Sequence, residues 1–390
     1  MLQSDSIVSH YTLLSQPYRL LFLLAALQAA TSIVVWLSGL SGWTSLPPNP
    51  TLWHAHEMLF GFSAAVIVGF VLTASGNWTG LKTSPPLSLL LLCPAWVVAR
   101  IAALVDQSSA ASVAAIADGI FLCLAASLVT RVLIRSCNRR NYLFIPFLWA
   151  LAAIDMALHF SFLESQISLA RNLSVLTVYL LAFLMVFMGG RVIPFFSGRR
   201  LDYQPVQWIW LNWLSILSAL SVAVVIVLKP ASHLLVGAAL TAGLCALIRL
   251  VLWQSARVWH EPMLWILHIG YAWLGIAYLL TAAANLGWLQ APTLPVHAIT
   301  VGALGCLGLG MMTRVALGHS GRSIEASPLM FTGFILVILA GVVRLGSYAN
   351  WPLGGIAGTT LSSILWSMAF GLYVLYFLPR LSIRQPEGPS

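Results

Sequence analysis

Residues 53–80 read WHAHEMLFGFSAAVIVGFVLTASGNWTG. From Met58 to Ser75 no side chain is charged. At 1.5 Å per helical residue, such a run crosses a hydrocarbon layer of roughly 30 Å. Its flanks are polar: His54, His56 and Glu57 precede it, and a turn-like SGNWTG with Trp78, a residue type that anchors at membrane–water interfaces, follows.

Similar runs fill the chain. Apolar spans are expected at Leu20–Leu40, Ala55–Ser75, Pro86–Val105, Ala111–Ile134, Tyr142–Glu164 and Leu173–Phe195. A second set is expected at Val206–Leu228, His233–Trp253, Pro262–Leu286, Leu294–Leu317, Pro328–Ser347 and Gly354–Leu378. Composition agrees, with 60% hydrophobic and only 7% charged residues, where water-soluble proteins carry about a quarter. Too few charges are present to cover a surface in water. The expected fold is all-α: a polytopic integral membrane protein of about twelve transmembrane helices, one transmembrane domain over residues 1–390 with no soluble domain. The first run follows a polar stretch ending in Arg19 and is long enough to stay in the membrane, so no cleaved signal is expected.

The net charge of +9 comes from 19 basic residues scattered among helix ends. That distribution argues against a nucleic-acid partner. Cys93, Cys123, Cys137, Cys245 and Cys306 form neither a CxxC pair nor a CxxCH site, so any haem is held noncovalently.

Lys and Arg concentrate on the cytoplasmic side of membrane proteins. Lys82, Arg131, Arg135, Arg139, Arg140, Arg191, Arg199, Arg200, Arg249, Arg257, Arg314 and Arg322 follow the even-numbered spans, and Arg19, Arg380 and Arg384 fall on the same face. Arg100, Arg171, Lys229 and Arg344 fall on the other. An inner-membrane protein with both termini cytoplasmic is expected. Spans two and eight both begin near a histidine, but their similarity stops there and indicates no duplication.

This topology gives the nine histidines depths. His54, His56, His159, His233 and His297 gather toward the outer side, His268 lies within span nine, and His260 and His319 lie at the cytoplasmic boundary, with His10 in the leader. Imidazole ligates copper and haem iron, so His54, His56, His159 and His297 are candidate metal ligands. His54, His56, His297 and His268 are candidate cofactor ligands. The competing reading is of histidines resting at headgroup level. In a regular helix, residues two apart point about 200° apart, so His54 and His56 share one metal only if their segment is irregular.

Ionisable groups in hydrocarbon are costly and mark function by default. Glu57, Asp118 and Asp155 are the candidate catalytic carboxylates, and Arg100 can neutralise either of the first two. Asp155 and His159 are placed to meet on one helical face, either orienting a ligand and relaying protons or as a structural pair. Glu261 and His268 share a face of span nine. Gly302, Gly305, Gly308 and Gly310 allow close approach of a helix or a flat cofactor. Met311 and Met312 read as packing residues. Gly189, Gly190 and Pro194 read as a break ending span six, where Arg191 meets a haem propionate or a lipid phosphate.

Three stretches together, the quoted segment from Trp53, FMGGRVIPFFSGRR from Phe187, and HAITVGALGCLGLGMMTRVALGHSGR from His297, resemble the signature segments of the NnrS family, and length and helix count agree over essentially the whole chain. The resemblance implies a membrane protein containing haem b and copper, made in response to nitric oxide and protecting against nitrosative stress. The paired mid-helix histidines of haem–copper oxidases and their related nitric oxide reductases have no counterpart here. The expected activity is oxidoreductase chemistry on nitric oxide or a related nitrogen oxide at a metal near the outer face, fed by an electron donor. A transporter or metal-handling protein and a non-catalytic nitric oxide sensor are the alternatives.

Overall fold

The computed structural model describes residues 12–43, 49–228, 232–289, 291–348 and 355–383. His10, Lys229, Gly354 and Arg384, singled out above, lie outside the described residues. The described residues form α1 (Pro17–Leu40), α2 (Pro50–Thr79), α3 (Pro86–Ala102), α4 (Ser108–Arg135), α5 (Phe144–Leu163) and α6 (Ile167–Leu201). They continue with α7 (Ile209–Leu228), α8 (Ser232–Leu252), α9 (Pro262–Asn285), α10 (Leu294–Gly318), α11 (Pro328–Gly346) and α12 (Gly355–Ser382). Eleven are long and apolar enough to cross a membrane. The exception, α3, has 17 residues, about 25 Å of helix. The chain is an all-α polytopic membrane protein.

Proline at the first positions of α1, α2, α9 and α11 starts these helices where its missing N–H costs nothing. Helices α2, α6 and α12 outrun their expected ends, α12 running on to Ser382. The SGNWTG segment remains helical to Thr79 and turns only at Gly80, in the left-handed region at φ 68°. The break expected at Gly189–Gly190 does not occur: α6 continues through Pro194 to Leu201. A membrane helix tolerates proline inside it where neighbouring helices or local backbone adjustments satisfy the carbonyl that proline frees.

The chain divides into two compact units. The first comprises residues up to Ser174 with Val315–Ser323 and the chain from Phe370 onward; the second comprises Val175–Arg314 and Ile324–Ala369. In the first, Tyr18, Leu21, Phe22, Ala25, Ala26 and Ala29 of α1 are buried at helical spacing. Gly69 of α2 lets Leu21 and Phe22 pack against its backbone. The opposite side of α1 is also apolar, with Leu27 and Val34 about half exposed, as a lipid-facing surface requires. In the second unit, the α10 glycines meet side chains of neighbouring helices: Trp273 lies over Gly302, Trp366 and Val337 over Gly305, and Ile266 over Gly310. Close helix packing thus accounts for these three glycines.

Candidate metal centre

The first turn of α2 is held by Asn49, whose side chain accepts a hydrogen bond from the Leu52 amide at 3.2 Å. The helix is regular from Pro50 to His56, π-helical over Glu57–Ser63, and regular again from Ala64. Such widened turns recur at functional sites. Here Gly61 leaves room for two polar side chains: a Cβ on it would lie 3.0 Å from Arg100 Nη1 and 3.1 Å from Gln28 Nε2.

His54 and His56 point apart, as their spacing requires. His54 stacks on Trp36 of α1, with ring centroids 4.8 Å apart. His56 turns toward α4 and α5. Its Nε2 lies 3.0 Å from Asp155 Oδ1 and 3.8 Å from Asp118 Oδ2, and its Nδ1 lies 3.2 Å from Glu57 Oε1. His159 Nε2 lies 3.2 Å from Asp118 Oδ2 and 3.8 Å from Asp155 Oδ2. Asp155 and His159 do share a face of α5, yet each has a nearer partner on another helix.

Arg100 joins the carboxylates. Its Nη1 donates to Glu57 Oε1 at 2.7 Å and its Nη2 to both Asp118 oxygens at 2.5 Å, while Gln28 Nε2 donates to Glu57 Oε2 at 2.7 Å. Arg100 therefore pairs with both carboxylates rather than one. Gln28 had an unread signal, a lone amide in an otherwise apolar run of α1. His56, Glu57, Arg100, Asp118, Asp155 and His159 are each at most 6% exposed.

Among the described residues, one ligand atom each from His56, Asp118, Asp155 and His159 lie within 4.8 Å of one another. Two observations fit this set to a metal ion. Asp155 Oδ2 is buried without a hydrogen-bond partner. With the two imidazoles neutral, as metal ligation requires, the three carboxylates also outnumber the single guanidinium and leave negative charge that a dication offsets. Two imidazoles and two carboxylates suit a divalent first-row transition ion rather than a soft thiolate-seeking one. A cavity of about 390 Å³ reaches the cluster, with His56, His159, Trp53, Asp106, Ser108 and Phe162 in its wall.

The remaining candidates fall elsewhere. His268 lies in the second unit with both ring nitrogens engaged, Nε2 by Ser197 Oγ at 2.9 Å and Nδ1 by Ser255 Oγ at 2.7 Å. His297, in the same unit, has Nε2 3.2 Å from Arg344 Nη2 and Nδ1 2.9 Å from Tyr348 OH. An iron-ligating imidazole needs one ring nitrogen for the metal, so neither residue fits a haem axial ligand in this arrangement. Arg191 lies over the Phe187 ring at 5.2 Å. Glu261 pairs with Arg200 at 3.0 Å rather than with His268.

The paired glycines of FMGGRVIP make room for two side chains, Gly189 for the Tyr271 ring and Gly190 for Arg249, which carried no chemical reading in the sequence. This guanidinium, 2% exposed, donates to Tyr271 OH at 2.6 Å and Ser215 Oγ at 3.1 Å. A Cβ on Gly190 would lie 1.7 Å from its Nη2.

These features define a helical, polytopic membrane protein whose interior holds a buried histidine–carboxylate cluster suited to a metal ion. Among known families, the chain matches the one described as NnrS protein over residues 12–384, and it belongs to that family. It is thus a membrane protein of the nitric oxide response. No curated protein matches the chain.

Proposed function

We propose that this protein takes up nitric oxide at a metal ion held by His56, Asp118, Asp155 and His159, and thereby protects the cell from nitrosative stress. The observation that carries the reading is the gathering of these four buried ligand-type groups, two of which, His56 and His159, stand in the wall of a cavity of about 390 Å³. Copper is the proposed ion, because imidazole with carboxylate oxygen is a donor set for copper(II), which tops the affinity order of the divalent series. When bound, such an ion supplies a coordination position for nitric oxide and a one-electron couple.

The protein's own residues supply the surroundings. Arg100 holds Glu57 and Asp118 in place through its guanidinium. Phe60 and Phe162 flank the His56 ring, with centroids 5.4 Å and 5.9 Å away, and limit water. In the oxidoreductase form of the reading, two nitric oxide molecules, two electrons from a periplasmic one-electron donor and two protons give nitrous oxide and water. Glu57 lies 3.2 Å from His56 Nδ1 and, unlike Asp118 and Asp155, is not among the proposed ligands, so it is the proposed proton carrier. Haem b, the second cofactor of the family resemblance, finds no ligand in His268 or His297 as they are arranged, and no step here uses it.

The proposed setting is the bacterial inner membrane, with both termini cytoplasmic and the His56 end toward the periplasm. The skew of basic residues toward one set of helix ends supports it. An apolar gas concentrates in lipid and reaches the cavity from there, with membrane lipids as the surrounding partners.

Metal analysis of the purified protein beside anaerobic nitric oxide uptake tests the reading. The expected result is copper bound by the intact chain, lost in His56→Ala, with uptake falling in proportion. Full uptake by metal-free protein overturns the centre, and uptake without product under a chemical reductant leaves a binding protein rather than an enzyme.

A further inference from the structure

The two π-helical segments stand in matching frames. In α2 a proline-started turn ends on His56, seven π-helical residues follow, and Arg100, at the end of α3, reaches back to Glu57 and across to Asp118 on α4. In α10 a proline-started turn ends on His297, and seven π-helical residues, Ala298–Leu304, follow. Arg344, at the end of α11, reaches back to His297 Nε2 at 3.2 Å and across to Thr359 Oγ1 on α12 at 2.6 Å. His56 and His297, Gly61 and Gly302, and Asp118 and Thr359 are separated by the same interval in the chain. The segments from α2 to α4 and from α10 to α12 therefore share one frame of proline-started turn, histidine, π-helical stretch and returning arginine. The shared frame pairs span two with span ten, not with span eight.

The two segments differ in charge. Glu57 corresponds to Ala298 and Asp118 to Thr359, so the second arginine keeps its place without either carboxylate. All its hydrogen-bond partners are neutral: Thr359 Oγ1, Ser347 Oγ at 3.3 Å, His297 Nε2, and Tyr348 OH at 3.1 Å. Among the described residues no carboxylate lies within 4.0 Å of it. From Pro262 to Arg314 and from Ala326 to Ala369 the sequence contains no acidic residue. A half-buried guanidinium without a counter-charge is costly, and an anion relieves that cost.

We infer that Arg344, His297, Tyr348 and Thr359 form a binding site for a small planar oxyanion of the carboxylate, nitrite or nitrate class. The guanidinium fork matches two coplanar oxygens, which would take the places of the neutral acceptors that Arg344 holds now, with the Tyr348 and Thr359 hydroxyls and the His297 ring beside them. A cation at His297 is disfavoured by the guanidinium 3.2 Å from its Nε2, so this histidine, a candidate metal ligand by depth alone, belongs to an anion site. The inference does not depend on the metal centre of the first unit.

The test is thermal unfolding of the full-length protein in uncharged detergent with sodium nitrite, nitrate or acetate, against chloride at equal ionic strength. Each planar oxyanion is expected to raise the midpoint saturably above chloride. Arg344→Gln is expected to weaken the apparent affinity tenfold or more. Thr359→Asp, which supplies the carboxylate that Asp118 provides in the other segment, is expected to abolish the response while metal content stays at the wild-type level. If Arg344→Gln does not fold, Thr359→Asp decides. A wild type with no oxyanion-specific shift, a response that survives Thr359→Asp, or stabilisation only by phosphatidylglycerol vesicles overturns the inference.

Discussion

His56 Nε2 stands 3.0 Å from Asp155 Oδ1 although 99 residues separate them in the chain. The contact joins α2 to α5, and Asp118 and His159 close around it. It also replaces the intrahelical Asp155–His159 pair as the principal interaction of Asp155, since that pair is separated by 3.8 Å.

Asp155→Asn keeps the side chain's shape and removes one ligand charge. Copper content is expected to fall at least tenfold, in line with the sensitivity of metal sites to their carboxylates. If the residue serves packing alone, metal is retained and the loss appears in detergent melting, at about 1–3 kcal/mol.

The two neighbouring histidines are expected to separate. His56→Ala and His159→Ala lose the metal, whereas His54→Ala, which removes a ring stacked on Trp36, keeps it. Equal metal loss in all three variants, measured by elemental analysis, contradicts the assigned ligand set.

Arg100→Leu leaves Glu57 and Asp118 buried without their cation. Truncating one member of a buried charge network costs about 3–5 kcal/mol, so a large fall in melting midpoint is expected. Arg100→Leu combined with Asp118→Leu is expected to cost less than the two single variants added together.

Gly190→Ala is expected to displace the Arg249 guanidinium from Tyr271 and Ser215 and to lower the melting midpoint, because the new Cβ would overlap Nη2. Gly237→Ala on α8 meets nothing within 4 Å and is expected to leave expression and melting at or above the wild-type level. Comparable behaviour of the two variants removes the stated reason for Gly190.

Cys137 is exposed beside the Arg139–Arg140 loop. The proposed orientation makes it reactive toward a membrane-impermeant thiol reagent in inverted vesicles and protected in intact spheroplasts. Labelling from the periplasmic side reverses the topology.

What the sequence determined by itself is the solvent and the helices. Uncharged runs of membrane-spanning length admit one satisfied backbone conformation in lipid, the helix, and the runs become α1–α12 with ends shifted by a few residues. Paired function within one helix was partly legible too: the spacing of Asp155 and His159 places them on one face, and that of His54 and His56 sends them apart. Only the tertiary structure decided which helix faces meet. With apolar residues on every side of a helix, no amphipathic stripe marks the buried face, as α1 shows with buried Leu21 and exposed Leu27. Depth alone therefore grouped His297 with His54 and His56. Packing instead set His56 against Asp118, Asp155 and His159, and His297 against Arg344. The π-helical turns were equally hidden, because a helix widened by one residue per turn keeps the composition of a regular one. They follow directly on His56 and His297, and the carboxylate-rich site and the acid-free site share that frame.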